Sequence, residues 1–174
     1  AMDPTNAAGD GLGFSNDWAL TAGSNSNGKF KFSSGSLFLD KSSSNSYSGV
    51  ATRNVTVSDD FSNVKLTFQC LHSSFSSNSD LIEVKVNGRS VFTEDKNTAS
   101  PQCSSSSSSN TYVTPISITE RGDVQISISM SSSNIKVYFS DIIITGQQSS
   151  VVSASTANWS QMMFLLGLEC SYAD

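Results

Sequence analysis

The chain has 174 residues, a net charge of −5 and only 14% charged residues, which leaves room for one domain of about 130 residues with a real core. No basic tract is present to displace counterions from phosphates, so a nucleic-acid partner is not expected. Solubility must come from Ser, Thr and Asn, which suit strand surfaces and turns and do not support long helices; composition therefore favours an all-β fold.

Ala1-Met-Asp-Pro4 reads as the remnant of a cleaved tag, and no signal peptide is visible, as expected of a recombinant mature fragment. Residues 1–12 form this remnant and a flexible lead-in. Gly9, Gly11 and Gly13 lack the strand and the Gly-Lys-Ser/Thr that a phosphate loop needs. From Trp18 strand signals follow closely: Trp18-Ala-Leu-Thr21, the alternating Lys29-Phe-Lys-Phe32, and Ser36-Leu-Phe-Leu-Asp40, separated by Ser/Asn/Gly turns. So short a span predicts hairpins among these three. Strands are predicted next over Gly49–Val57 and over Asn63–Cys70, the latter with Leu66, Phe68 and Cys70 on one face and Lys65, Thr67 and Gln69 on the other.

Asp80–Val86 places Ile82, Val84 and Val86 inward, and Asn87-Gly88 marks a type I′ hairpin into Ser90–Glu94. A long segment, 95–110, holds Pro101, Cys103 and six consecutive serines. A strand resumes over Thr111–Thr119, where Pro115 requires an edge or a bulge, and another over Val124–Ser129. The closing stretch, Asn134 to Gly146, alternates with Val137 and Phe139 inward, then becomes continuously apolar at Ile142–Ile144, a pattern expected of a strand that ends buried on both faces. About ten strands joined by short turns predict an antiparallel two-sheet β-sandwich over residues 13–146.

No catalytic pattern is present. The single histidine, His72, lies in a Ser-rich stretch and is expected to be a solvated loop residue; no Gly-x-Ser-x-Gly elbow accompanies it. The acids are scattered singly, which does not suit a glycosidase pair, and three spaced cysteines with one histidine do not suit zinc. Cys70 ends a strand and Cys103 lies in the long segment, so a disulfide between them would pin that segment to the sheet and leave Cys170 over. The alternative is three thiols in a reducing compartment. Asn54-Val-Thr56 and Asn158-Trp-Ser160 are glycosylation sequons consistent with secretion. Arg121-Gly-Asp123, an integrin-type tripeptide, is predicted at a turn, where Gly-Asp is also ordinary turn chemistry.

The order of features resembles the galactose-binding-like jelly rolls, a family of carbohydrate-binding modules and adhesion domains. The resemblance rests on Gly13-Phe14 and Trp18, the Asn87-Gly88 hairpin, Gly122-Asp123 with the alternation after it, and Val137-Tyr-Phe-Ser-Asp-Ile-Ile-Ile-Thr-Gly146. It implies a jelly-roll-like, non-catalytic extracellular binding module whose partner is a glycan, or alternatively a cell-surface adhesion or structural domain that binds another protein. It also implies a structural calcium held by a Glu beside the leading Phe and by the closing Asp. Asp141 matches the latter; Ser15 and Asn16 stand where the Glu is expected, with Asp17 and Asp40 as substitutes.

If the apolar residues point inward, Lys29, Lys31, Lys65, Lys85 and Lys136 point outward with Tyr138, Gln69, Gln125 and Thr67. Such lysines keep sheets soluble. They could also line a polar groove in which Tyr138 or Tyr112 stacks on a sugar while Lys136, Lys65, Lys85 and Gln125 bond its hydroxyls or acid groups. Residues 147–174 read as a linker and a short apolar segment, 159–168, too short to span a bilayer and able to promote self-association.

Overall fold

The structure, a computed structural model, describes residues 10–11, 18–23, 26, 29–33, 36–40, 46–72, 75–103, 112–132 and 136–148. They form β1 (Asp10–Gly11), β2 (Ala19–Ala22), β3 (Phe30–Ser33), β4 (Ser36–Leu39), β5 (Tyr47–Val57), β6 (Phe61–His72), β7 (Leu81–Val86), β8 (Arg89–Asp95), β9 (Ile116–Ser117), β10 (Gly122–Ser132) and β11 (Val137–Gln148). A six-stranded sheet has the order β3-β4-β11-β6-β9, with β1 pairing to β11 beyond β4; a five-stranded sheet has the order β2-β5-β10-β7-β8. All pairings are antiparallel. The chain is a jelly-roll-like β-sandwich, as its composition and short turns lead one to expect.

The core follows from the two-residue period of the long strands. Leu66, Phe68 and Cys70 of β6 meet Ile82, Val84 and Val86 of β7 and Ile126, Ile128 and Met130 of β10 in one buried cluster. The Phe68 ring lies 4.8 Å from Phe139 within its own sheet and 5.2 Å, edge-on, from Phe92 of the other. The hairpin at Asn87-Gly88 has both residues at positive φ, 47° and 79°, as a type I′ turn requires.

Three expectations are corrected. β2 does not join β3 and β4 in a hairpin; it pairs with β5 in the opposite sheet, because local alternation marks a strand without naming its partner. The strand expected over Thr111–Thr119 shrinks to a bridge between Tyr112 and Gln69 and the two-residue β9, with exposed Pro115, which has no N–H to donate, between them. In β11, Ile142 and Ile144 are buried at 1% and 3% exposure but Ile143 faces outward and is half-buried. The apolar run is a change of phase: a bulge sits between Ser140 and Ile143, with Asp141 at φ 48°.

His72 is also corrected. It ends β6 inside the sandwich at 4% exposure, stacked on the Phe75 ring at 3.8 Å. Its Nε2 lies 2.7 Å from Oε1 of Glu94, an inward residue of β8, so the pair joins the two sheets. Oε2 of Glu94 accepts from the backbone N–H groups of Gln102 and Cys103 at 2.9 and 3.0 Å. Cys103 in turn is bonded to Cys70, with Cα atoms 4.8 Å apart, so the expected disulfide is present.

One close approach across the sandwich gives a direct test. Gly49 of β5 lies so near Phe30 of β3 that a Cβ there would fall 2.3 Å from the ring. Because Phe30 is itself buried and cannot swing away, Gly49→Ala is expected to lower stability by about 2 kcal/mol. Thermal denaturation should show a Tm lower by roughly 6 °C; an unchanged Tm would mean that the sheets are not in register at this point.

Candidate functional site

The outer face of the six-stranded sheet is built by the same alternation that fills the core. Leu37 and Leu39 of β4 point inward, so Phe38 between them points out; Val137 and Phe139 do the same for Tyr138. Register then sets Lys31, Phe38, Tyr138 and Leu71 side by side on four adjacent strands, a row about 14 Å across. Phe38 and Tyr138 meet edge to face with centroids 4.6 Å apart. The ammonium groups of Lys31 and Lys136 lie 5.8 and 5.7 Å from the centre of the Phe38 ring, within cation–π range.

Polar groups flank this row on both sides. On one side Asp40 stands between Lys29, at 3.8 Å, and Lys136, at 3.9 Å. On the other, Ser140 donates to Oε1 of Gln69 at 3.3 Å, and Gln69 pairs with Tyr112 at the sheet edge. Tyr112 is 47% exposed and stands roughly 12 Å from Tyr138 by strand spacing. Further along, Thr67 donates to the Val113 carbonyl at 2.8 Å, and Lys65 lies exposed opposite Thr145 and Ser117.

Of the residues expected from sequence to bind ligand, Tyr138, Lys136, Tyr112 and Lys65 therefore share one face. Gln125 and Lys85 do not: they lie on β10 and β7 of the opposite sheet, where Gln125 contacts Asn54 at 3.5 Å and Lys85 pairs with Glu83 at 3.0 Å. Alternation says that a residue points outward but not from which sheet. Phe38 and Leu71 join them on this face, and the placement of Phe38 between two inward leucines is a sign readable in the sequence.

The expected calcium ligands are not brought together. Asp40 is beside Lys136, and Asp141 is five residues further along β11, roughly 16 Å away. No ion with oxygen ligands at about 2.3–2.6 Å can use both. Asp17 lies outside the described residues, among which no group of three or more His, Cys, Asp or Glu is placed to hold a metal. Arg121 is not displayed for a receptor: its guanidinium donates to the carbonyls of Ile118, Glu120 and Phe61, while Asp123 accepts from Thr56 at 3.2 Å.

A shallow depression of about 280 Å³ on the five-stranded sheet is lined by Thr21, Ala22, Ser48, Val50, Leu81 and Ser131 among others. It holds no carboxylate, imidazole or thiol. The His72–Glu94 pair lies in the interior, with side chains 5% and 1% exposed. Burial would raise the Glu94 pKa, but the bond from His72 and those from the amides of Cys103 and Gln102 outweigh it and hold the carboxyl below its ordinary value. At the surface, the hydrogen bond from Arg89 likewise holds Glu120 low. Neither carboxylate is poised near neutrality for proton transfer. No helix among the described residues is long and apolar enough to cross a membrane.

No protein-family model matches the sequence, and no curated protein matches it. Among solved structures, the chain is similar to the carbohydrate-binding module TmCBM61, solved in complex with beta-1,4-galactotriose, with a TM-score of 0.47 and 12% identity over 75% of this chain and 89% of that one.

Proposed function

We propose that the chain is a non-catalytic binding module that takes a glycan on the outer face of its six-stranded sheet. The observation that carries this reading is the row Phe38, Tyr138 and Leu71, flanked by hydroxyl, amide and ammonium groups from Ser140, Gln69, Lys31 and Lys136. A sugar ring has one apolar face and a rim of hydroxyls, so an outward aromatic ring edged with donors and acceptors suits it. Among the described residues the face carries no pair of carboxylates at the spacing of a glycosidase, which suits retention of a polymer rather than its cleavage. The Cys70–Cys103 disulfide supports an extracellular setting.

Adsorption to insoluble polysaccharides together with a glycan array tests the reading. Tyr138→Ala is expected to weaken binding about five- to tenfold, the loss of roughly 1 kcal/mol of stacking, without lowering Tm appreciably, because the ring lies outside the core. Silence of the wild-type chain on every glycan would leave protein adhesion as the reading to pursue. Undiminished binding by Tyr138→Ala would move the site off this face.

A further inference from the structure

We infer that the glycan held on this face is acidic, a polymer carrying uronate or sulfate groups. The inference rests on the sugar-binding reading above and deepens it. Among the described residues, the aromatic row on the outer face of the six-stranded sheet is bordered by Lys29, Lys31 and Lys136 against Asp40, with Lys65 and Asp141 further along, in a chain with fifteen acids and ten cations. The positive charge is thus gathered on the face that also presents the aromatic row.

The placement of the charges matters more than their number. Lys31 and Lys136 both lie within 6 Å of the Phe38 ring centre, so they border the aromatic surface itself. Asp40 meets Lys29 and Lys136 only at 3.8 and 3.9 Å, in pairs whose lysine side chains are 43% and 50% exposed. Such loose exposed pairs contribute little and leave ammonium hydrogens able to turn towards a ligand. A sugar stacked on Tyr138 would bring a substituent at its rim towards Lys31 and Lys136. A carboxylate or sulfate there would accept charge-assisted bonds that a hydroxyl accepts more weakly. Lysine, a compact charge on a flexible stem, suits either anion.

Calorimetric titration of the full chain with polygalacturonate, dextran sulfate and neutral galactan tests this, using the wild type, Lys31→Ala/Lys136→Ala, Tyr138→Ala and, as a control on the opposite sheet, Lys85→Ala. The expected result is tighter binding of an acidic polymer than of galactan, weakened by salt. The double lysine variant should lose about tenfold on that polymer, and Lys85→Ala should match the wild type. Polygalacturonate and dextran sulfate distinguish a carboxylate ligand from a sulfate one. Equal binding of galactan, or full retention by the double variant, overturns the acidic inference while sensitivity to Tyr138→Ala preserves the glycan face. Binding to none of the three overturns the acidic inference, and silence on the wider array overturns both.

Discussion

Replacing Glu94 by alanine is expected to destabilise the sandwich by about 3–5 kcal/mol, the summed cost of leaving hydrogen-bond donors inside the sandwich without their acceptor. Three donors would lose their acceptor at once: Nε2 of His72 and the amides of Gln102 and Cys103. His72 and Cys103 are buried, where water does not readily replace the acceptor, and each unmet donor there costs about 1–3 kcal/mol; Gln102 is exposed and adds less. Glu94→Gln should cost less, about 2 kcal/mol, since an amide still accepts on one atom but presents a donor on the other. Urea denaturation of the three proteins measures the order; a glutamine variant as stable as the wild type would mean that the carboxylate is not saturated as described.

The same residue gives the fold an acid limb. Because the native pKa of Glu94 is held below the ordinary value of 4.5, its stabilisation is complete above that value and fades as pH falls through the lower native one. The stability difference between wild type and Glu94→Gln should therefore shrink as pH falls below about 4.5. A difference that grew as pH fell below about 4.5 would reverse the sign and refute the assignment.

Removing the Cys70–Cys103 crosslink ranks beside it. The bond closes a loop with a sequence separation of 33, and the chain-entropy relation gives about 4 kcal/mol for a loop of that size. Substituting both cysteines by alanine should lower the urea midpoint accordingly, and both residues, at 3% and 4% exposure, should resist reductant until the chain opens. Non-reducing peptide mapping that found Cys70 free would remove this prediction. The two effects should not add. Glu94 and the disulfide secure the same short segment at 102–103, so the combined variant is expected to lose less than the sum of its parts.

Much of this architecture could be read from the order of residues alone, wherever one local rule decided the outcome. The two-residue period placed Leu66, Phe68 and Cys70 inward, and Asn87-Gly88 specified its turn because few residue pairs accept positive φ twice in succession. Extending that period two steps beyond Cys70 would have placed His72 inside, and pairing Glu94 with Phe92 on β8 would have shown an acid facing the core. The Ser-rich context of His72 obscured the first signal. What periodicity could not supply was the choice of sheet. Lys85 and Lys65 sit in similar alternating strands, yet they face solvent on opposite sides of the molecule, a distinction made only by long-range pairing. The proposed binding face shares this limit: Lys31, Phe38, Tyr138 and Leu71 come from four strands and meet only through register.

The bulge at Asp141 makes β11 in effect two strands laid end to end. Before it, even-numbered positions such as Tyr138 and Ser140 face solvent; after it, even-numbered Ile142 and Ile144 face the core. One residue thus acts as a frame-shift in the spatial sense. Losing it would restore a single parity along the strand, and either the isoleucines would turn to water or Tyr138 would turn inward. The outward face of Tyr138 and the hydrophobic interior occupy one continuous segment, and the extra residue between them lets each keep its own facing.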